Sequence, residues 1–204
     1  MIKRLTASVL AGALLLAALA NAAVTVDAPA PNFTLQDVNG DDVTLADFAG
    51  KYVVLEWTNH DCPYVRKHYD SGNMQQLQSR YTDQDVVWLT IISSAPGKQG
   101  YVESDEAIQL TETRNAAPTT VLHDPDGNVG RAYGARTTPH MYIIDTEGTL
   151  RYAGAIDSIK SARQSDIAKA TNYVDAAMSA LMAGDEVEEK LTAPYGCSVK
   201  YSST

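Results

Sequence analysis

The stretch VVLEWTNHDCPYVR, from Val53 to Arg66, decides the fold of this chain. It begins with an apolar run typical of a buried strand, continues through a polar turn, and ends at a cysteine followed directly by proline. Proline is favoured at the first position of a helix because its missing N–H would be unpaired there. We therefore predict that Cys62 caps a helix beginning at Pro63. The positive end of a helix stabilises a thiolate, so we expect a lowered pKa at Cys62.

The first 22 residues have the composition of a secretory signal peptide. Lys3 and Arg4 precede an apolar run over residues 5–19, and Ala20-Asn21-Ala22 forms a small-x-small cleavage site. The apolar run is short for a membrane span, although a retained N-terminal anchor is the alternative. We predict cleavage after Ala22 and a periplasmic or secreted protein that has no membrane contact afterwards. One domain is expected over residues 23–184, followed by a tail over residues 185–204.

Charge and cysteine content narrow the function classes. The 204 residues carry a net charge of −9, and two of the 16 basic residues fall in the predicted signal peptide. Without a basic cluster, nucleic acid and anionic membrane surfaces are unfavourable partners. Two cysteines, Cys62 and Cys197, are too few for a disulfide scaffold. In an exported protein they suggest a disulfide bond.

The order of elements predicts an α/β fold. Strands are expected at 33–36, 43–45, 51–57, 86–92, 120–122, 141–145 and 150–153, the first two as a hairpin. Helices are expected from Cys62 to about Tyr69, around 74–81, at 104–115 and at 165–183, with one helical turn at 129–133. Parallel strands joined by helices and followed by an antiparallel pair indicate a mixed central sheet flanked by helices. The tail lacks a clear period.

These residues resemble the redoxin branch of the thioredoxin-fold superfamily, over about residues 28–183. The strand leading to Cys62-Pro63 matches the thioredoxin active-site position, and Thr138-Pro139 is similar to the cis-proline loop facing that site. The tail sequence Gly196-Cys197-Ser198-Val199-Lys200-Tyr201 is similar to the end of a peroxiredoxin-like group related to the alkyl hydroperoxide reductase/thiol-specific antioxidant family. The resemblance implies a cis Thr138–Pro139 bond. It also implies a substrate-binding surface formed by Thr138, Pro139 and Pro63.

The chain departs from both family patterns. Val65 stands where a thioredoxin has the second cysteine of Cys-x-x-Cys. Peroxiredoxins place threonine or serine three residues before the peroxidatic cysteine, whereas Asn59 stands three residues before Cys62. The resemblance therefore implies a fold and thiol chemistry without fixing a substrate.

Three roles remain open for Cys197. It is a resolving thiol that attacks oxidised Cys62, half of a permanent disulfide that stabilises the fold by about 5 kcal/mol, or an unpaired thiol. For Cys62 we expect a redox-active, accessible thiolate, because His60, Asp61, Arg66, Lys67 and His68 surround it in sequence; a buried structural cysteine is the alternative.

We expect no cofactor and no metal, although Cys62 with two of the four histidines, His60, His68, His123 and His140, would suit zinc or copper. The favoured function is an exported thiol–disulfide oxidoreductase or thiol-dependent antioxidant enzyme that uses Cys62 and Cys197. Its partners would be a protein or small-molecule thiol, disulfide or hydroperoxide, and a reducing partner protein. The alternative is a non-catalytic module that binds a peptide or metal and has a structural disulfide.

Overall fold

The computed structural model describes residues 24–203, so the predicted signal peptide and its cleavage site lie outside the described residues. The described chain forms β1 (Thr34–Asp37), β2 (Asp42–Thr44), β3 (Val53–Trp57), β4 (Val87–Ile92), β5 (Thr120–His123), β6 (Thr137–Thr138), β7 (His140–Ile144), β8 (Leu150–Gly154) and β9 (Cys197–Ser198). Seven of these strands make one mixed sheet in the order β2-β1-β5-β4-β3-β7-β8. Strands β6 and β9 pair separately. The predicted α/β class and the N-terminal hairpin are confirmed.

The centre of the large sheet is the part that positions the cysteine. Strand β3 pairs in parallel with β4 and antiparallel with β7. Every residue of β3, β4 and β7 is buried, which fits their nearly continuous apolar sequences. Because β3 is held on both edges, the chain leaves it at Trp57 in a fixed direction toward Cys62.

Five α-helices flank the sheet within the described residues: α1 (Pro63–Asp70), α2 (Asn73–Thr82), α3 (Ser104–Thr113), α4 (Asn128–Tyr133) and α5 (Tyr173–Ala183). One apolar cluster packs α1, α2 and α5 against one face, and a second cluster around Trp57 and Tyr133 fills the other. No helix among residues 24–203 is long and apolar enough to cross a membrane.

The predicted continuous helix over 165–183 is wrong. The chain forms a 3₁₀ helix over Gln164–Lys169, becomes extended at Ala170, and begins α5 only at Tyr173. The Asn172 side chain accepts a hydrogen bond from the Asp175 amide and so caps the new helix. The backbone before α5 pairs with the segment after β8 instead, since Tyr173 N–H donates to Ile156 O at 3.0 Å. The helical spacing of apolar residues in the sequence carries no information about this tertiary pairing.

Candidate active site

Cys62 lies at the N-terminus of α1, as predicted. Asn59 shapes the turn from β3, because its side-chain oxygen accepts from the Asp61 amide at 3.0 Å and its carbonyl accepts from the Cys62 amide at 3.0 Å. Pro63 occupies the first turn of the helix, where its missing N–H costs nothing. The strand, the turn and the helix together fix the direction of the Cys62 side chain.

The expectation that Cys62 is exposed is wrong. The residue has 0% exposure and belongs to the apolar cluster beneath α1. Lys67 and His68, two of the polar neighbours that suggested an open site, are themselves buried. These two side chains turn inward toward Asp157, with Lys67 Nζ 2.6 Å from its carboxylate. The C-terminal tail reaches the remaining side of the thiol.

The Thr138–Pro139 peptide bond is cis, as the resemblance implied. It brings the Thr138 carbonyl to Cys62, whose thiol donates a hydrogen bond to Thr138 O at 3.1 Å. Thr138 and Pro139 are both buried, whereas Pro63, the residue after Cys62, is exposed. The structure therefore brings Cys62 and Pro63 together with Thr138 and Pro139. Cys62 and Thr138, which share the hydrogen bond, are 76 residues apart along the chain.

Cys197 joins this group through a backbone pairing. Strand β9 lies antiparallel to β6, with Cys197 opposite Thr138. The Cys197 amide donates to Cys62 Sγ at 3.4 Å. Gly196 makes the approach possible, because a Cβ at that position would lie 2.0 Å from Thr138 O. The five predicted site residues therefore lie together. Both cysteines are free thiols in the structure, and no disulfide joins them.

The environment of Cys197 disfavours its thiolate. Burial raises the pKa of Cys197 to about 12, with further contributions from its hydrogen bond to Cys62 and from the negative charge of the Cys62 thiolate. Lys200 opposes this shift weakly. Cys197 therefore keeps its proton at neutral pH. Because the thiolate is the nucleophile, Cys197 is a poor attacking sulfur until it loses that proton.

Two features flanking Cys197 attach the tail, and neither is predicted by the sequence. Before it, the buried Tyr195 hydroxyl donates to Asp157 and accepts from Lys67 Nζ at 3.3 Å. After it, the Tyr201 hydroxyl donates to Ala135 O at 2.7 Å. The signal in the sequence is weak: two tyrosines at an irregular terminus give no indication of their partners.

A buried carboxylate on β3 is another functional candidate that sequence reasoning missed. Glu56 has 0% exposure and accepts hydrogen bonds from Tyr69 Oη at 2.8 Å and Trp88 Nε1 at 2.9 Å. Gln78 and Thr90 donate to the same carboxylate at longer distances. Burial raises the pKa of Glu56 against these opposing hydrogen bonds. The sequence feature that could have indicated this buried carboxylate is a glutamate inside the apolar run of residues 53–57.

The histidines have separate environments. His68 Nε2 lies 3.7 Å from Asp157, and burial lowers the pKa of this imidazole to about 4. His140 Nδ1 lies 3.1 Å from the Tyr142 hydroxyl, His123 contacts Ser104, and His60 lies beside Asp61. Among residues 24–203, no three His, Cys, Asp or Glu side chains are grouped so that they could hold a metal ion.

Comparisons with known proteins identify the family. The thiol-disulfide oxidoreductase ResA of Halalkalibacterium halodurans is 26% identical over 121 residues, which cover 59% of this chain and 63% of ResA. The chain thus spans less than two thirds of that relative. The structure is similar to an uncharacterized conserved protein from Geobacillus kaustophilus, with a TM-score of 0.77, 26% identity, and coverage of 88% and 94% of the two chains.

A second solved structure relates the fold to a named one. The thioredoxin domain of a thiol-disulfide oxidoreductase from Bacteroides vulgatus has a TM-score of 0.52 and 18% identity, and the match covers 72% of this chain and 98% of that domain. This likeness bears on the fold alone, which is thioredoxin-like. The AhpC/TSA family matches residues 26–153, more than half of the sequence. The chain therefore belongs to the AhpC/TSA family.

Proposed function

We propose that this protein is an exported thiol–disulfide oxidoreductase in which Cys62 is the attacking thiolate and Cys197 the resolving thiol. The observation that carries the proposal is the position of Cys197 on β9, with its amide 3.4 Å from Cys62 Sγ and its backbone paired to Thr138. A second thiol held beside the first can replace the missing cysteine of Cys-x-x-Cys. The name of the ResA relative supports the same reaction class.

The reaction balances with these two sulfurs. The Cys62 thiolate attacks one sulfur of a substrate disulfide, forms a mixed disulfide and expels the first substrate thiolate. Cys197 then loses its proton and attacks Cys62 Sγ, forming the Cys62–Cys197 disulfide and expelling the second substrate thiolate. The substrate gains two electrons and the two cysteines lose two. A dithiol of a reducing partner protein returns both electrons: its first thiol forms a mixed disulfide with this protein, and its second thiol displaces the reduced protein and forms the partner's own disulfide.

The residue three positions before Cys62, Asn59, favours disulfide exchange over peroxide reduction as the reaction of this site. In peroxiredoxins, which the sequence resembles, a hydroxyl side chain stands three residues before the peroxidatic cysteine. Here that position holds Asn59, whose side-chain oxygen accepts from the Asp61 amide and forms the turn. Thr58 stands one residue earlier, and its buried Oγ1 has no hydrogen-bond partner within the described part of the chain.

The test uses the reduced protein mixed with oxidised glutathione and followed by mass spectrometry after alkylation. We expect the unchanged protein to form the Cys62–Cys197 disulfide and Cys197→Ser to accumulate glutathione on Cys62. Cys62→Ser should form neither product. The disulfide should titrate between about −120 and about −270 mV, the range of oxidoreductases. A disulfide that stays oxidised below about −300 mV would instead favour the binding module with a structural bridge.

Export is part of the proposal and is supported by the charged pair, apolar run and small-x-small site of the first 22 residues. The intact mass of protein recovered from the periplasm or medium should correspond to a chain beginning at Ala23. Retention of the full-length chain in a membrane fraction would favour the N-terminal anchor.

A further inference from the structure

The tail closes the site from outside. Cys62 has 0% exposure, and β9 occupies the β6 edge, where Thr137 and Thr138 present their backbone. A substrate sulfur cannot meet Cys62 while β9 is in place. Turnover therefore requires local opening of the tail, and the question is which contacts resist it.

The segment that must move is short and has one buried side chain. Thr192 is attached before it, since its hydroxyl accepts from the Ala155 amide at 2.9 Å. Val199 is attached after it, since its amide donates to Arg136 O at 3.0 Å. Among residues 193–198, Tyr195 is the one buried residue, at 5% exposure. Opening between these attachments is thus opposed chiefly by Tyr195 and the short β6–β9 pairing.

Tyr195 is held by a buried ion pair on the helix that Cys62 caps. Its hydroxyl donates to Asp157, and Lys67 Nζ donates to that hydroxyl at 3.3 Å and to Asp157 at 2.6 Å. Lys67 is 1% exposed and Asp157 is 3% exposed. Hydrogen bonds to charged groups are stronger than neutral ones, and their strength rises where water is excluded. The tail is therefore attached, two residues before Cys197, by hydrogen bonds to two buried charged groups.

We infer that Tyr195 is a positioning residue that latches the C-terminal strand over Cys62 through Asp157 and Lys67, and so controls the access of external sulfur to the thiol. The inference rests on the proposed role of Cys62 as the attacking thiolate. The latch is present with both thiols free, so it governs how fast Cys62 meets an external reagent. It has little effect on the equilibrium between dithiol and disulfide, because β9 is closed in the dithiol as well.

Tyr195→Phe is the direct test, because it removes one hydroxyl and leaves Asp157 paired with Lys67. The variant is made in a Cys197→Ser background, so that iodoacetamide labels Cys62 alone. Loss of a hydrogen bond to a charged group corresponds to an open fraction about 10- to 100-fold larger. Labelling through a fast local opening follows that fraction. We expect the rate to rise by the same factor.

Tyr81→Phe is the matched control. The Tyr81 hydroxyl donates to Asp175 Oδ1 at 2.7 Å, and Arg80 contacts the same oxygen at 2.6 Å. This is the same tyrosine–aspartate–cation chemistry on α2 and α5, away from β9. Its loss should lower the free energy of unfolding and leave the Cys62 labelling rate within about twofold, because only global unfolding is affected.

Each outcome decides the inference. A rise of 10-fold or more with Tyr195→Phe, absent with Tyr81→Phe, supports the latch. A Tyr195→Phe rate within twofold of the background overturns it, as does an equal rise in both variants. The proposed function fails separately, by the absence of a Cys62–Cys197 disulfide in the protein with both cysteines.

Discussion

Gly196→Ala tests whether the tail must dock for Cys197 to reach Cys62. A Cβ at residue 196 would lie 2.0 Å from the carbonyl oxygen and 2.8 Å from the carbonyl carbon of Thr138. Both atoms belong to the backbone of the cis-proline loop, so no side-chain rotation relieves the overlap. The glycine also has a φ of +142°, which L-residues rarely adopt.

The loss of docking free energy in Gly196→Ala is set by the backbone strain or by the contacts that β9 loses. Keeping β9 in place would cost about 1–3 kcal/mol for the backbone conformation alone, before any overlap. Moving β9 away instead breaks the Cys197 amide contact with Cys62 and the pairing with Thr138. At about 0.5–1.5 kcal/mol for each of these two contacts, the tail loses about 1–3 kcal/mol of docking free energy. That corresponds to a roughly 5- to 150-fold larger open fraction.

Two readouts follow the docking. Alkylation of Cys62 should speed up at least about fivefold, and formation of the Cys62–Cys197 disulfide from a Cys62–glutathione mixed disulfide should slow down. Gly184→Ala is the control, because Gly184 also has a positive φ, 79°, while a Cβ there meets no atom of residues 24–203 within 4 Å. It should cost about 1–2 kcal/mol of stability and leave both rates unchanged. Ready disulfide formation and slow alkylation in Gly196→Ala would refute the docking argument.

Two further perturbations test the buried charges. Lys67→Met should lower the free energy of unfolding by about 3–5 kcal/mol in urea titrations, because it leaves the Asp157 carboxylate buried without its cation, and adding Asp157→Leu should recover part of the loss. Burial lowers the pKa of His140 to about 3 from 6.5, so the folded chain excludes a proton that the unfolded chain binds, and stability should fall as the pH drops from 6.5 toward 3. In His140→Gln, urea unfolding at several pH values should show a loss of unfolding free energy between pH 6.5 and pH 3 that is smaller by on the order of 4 kcal/mol. An equal loss in both proteins would assign the acid sensitivity to other groups.

Local chemistry explains the parts of the fold that were predictable. The apolar run before Cys62 and the proline after it specify a strand and a helix start by short-range rules, and the cysteine lies where those rules put it. The helix over 165–183 failed because the backbone at Tyr173 pairs with Ile156. That pairing competes with helix formation and leaves no periodic trace in the sequence.

The burial of Cys62 depended on contacts still more distant in sequence. Polar neighbours suggested an open thiol, but Lys67 turns inward because Asp157, 90 residues later, supplies its counter-charge. Tyr195 then completes that pair from 128 residues away. Composition near a cysteine predicts its exposure only when the charged side chains point to solvent. Here they form the site to which the tail is attached.

Placing the second thiol on a tail changes how the proposed cycle would be closed. In a Cys-x-x-Cys protein the resolving sulfur follows within one helical turn, but here that position is Val65, a core residue with 0% exposure. In the dithiol structure Cys62 is buried while Cys197 is partly exposed. A disulfide that keeps this arrangement would present Cys197 to a reducing thiol first. Attack there expels Cys62 as the thiolate. Burial raises the pKa of the Cys197 thiol to about 12, and a sulfur of higher pKa leaves more slowly, so expulsion of Cys197 in the opposite direction is disfavoured. Access and leaving-group ability therefore select the same sulfur, and reduction would regenerate Cys62 as the nucleophile for the next substrate.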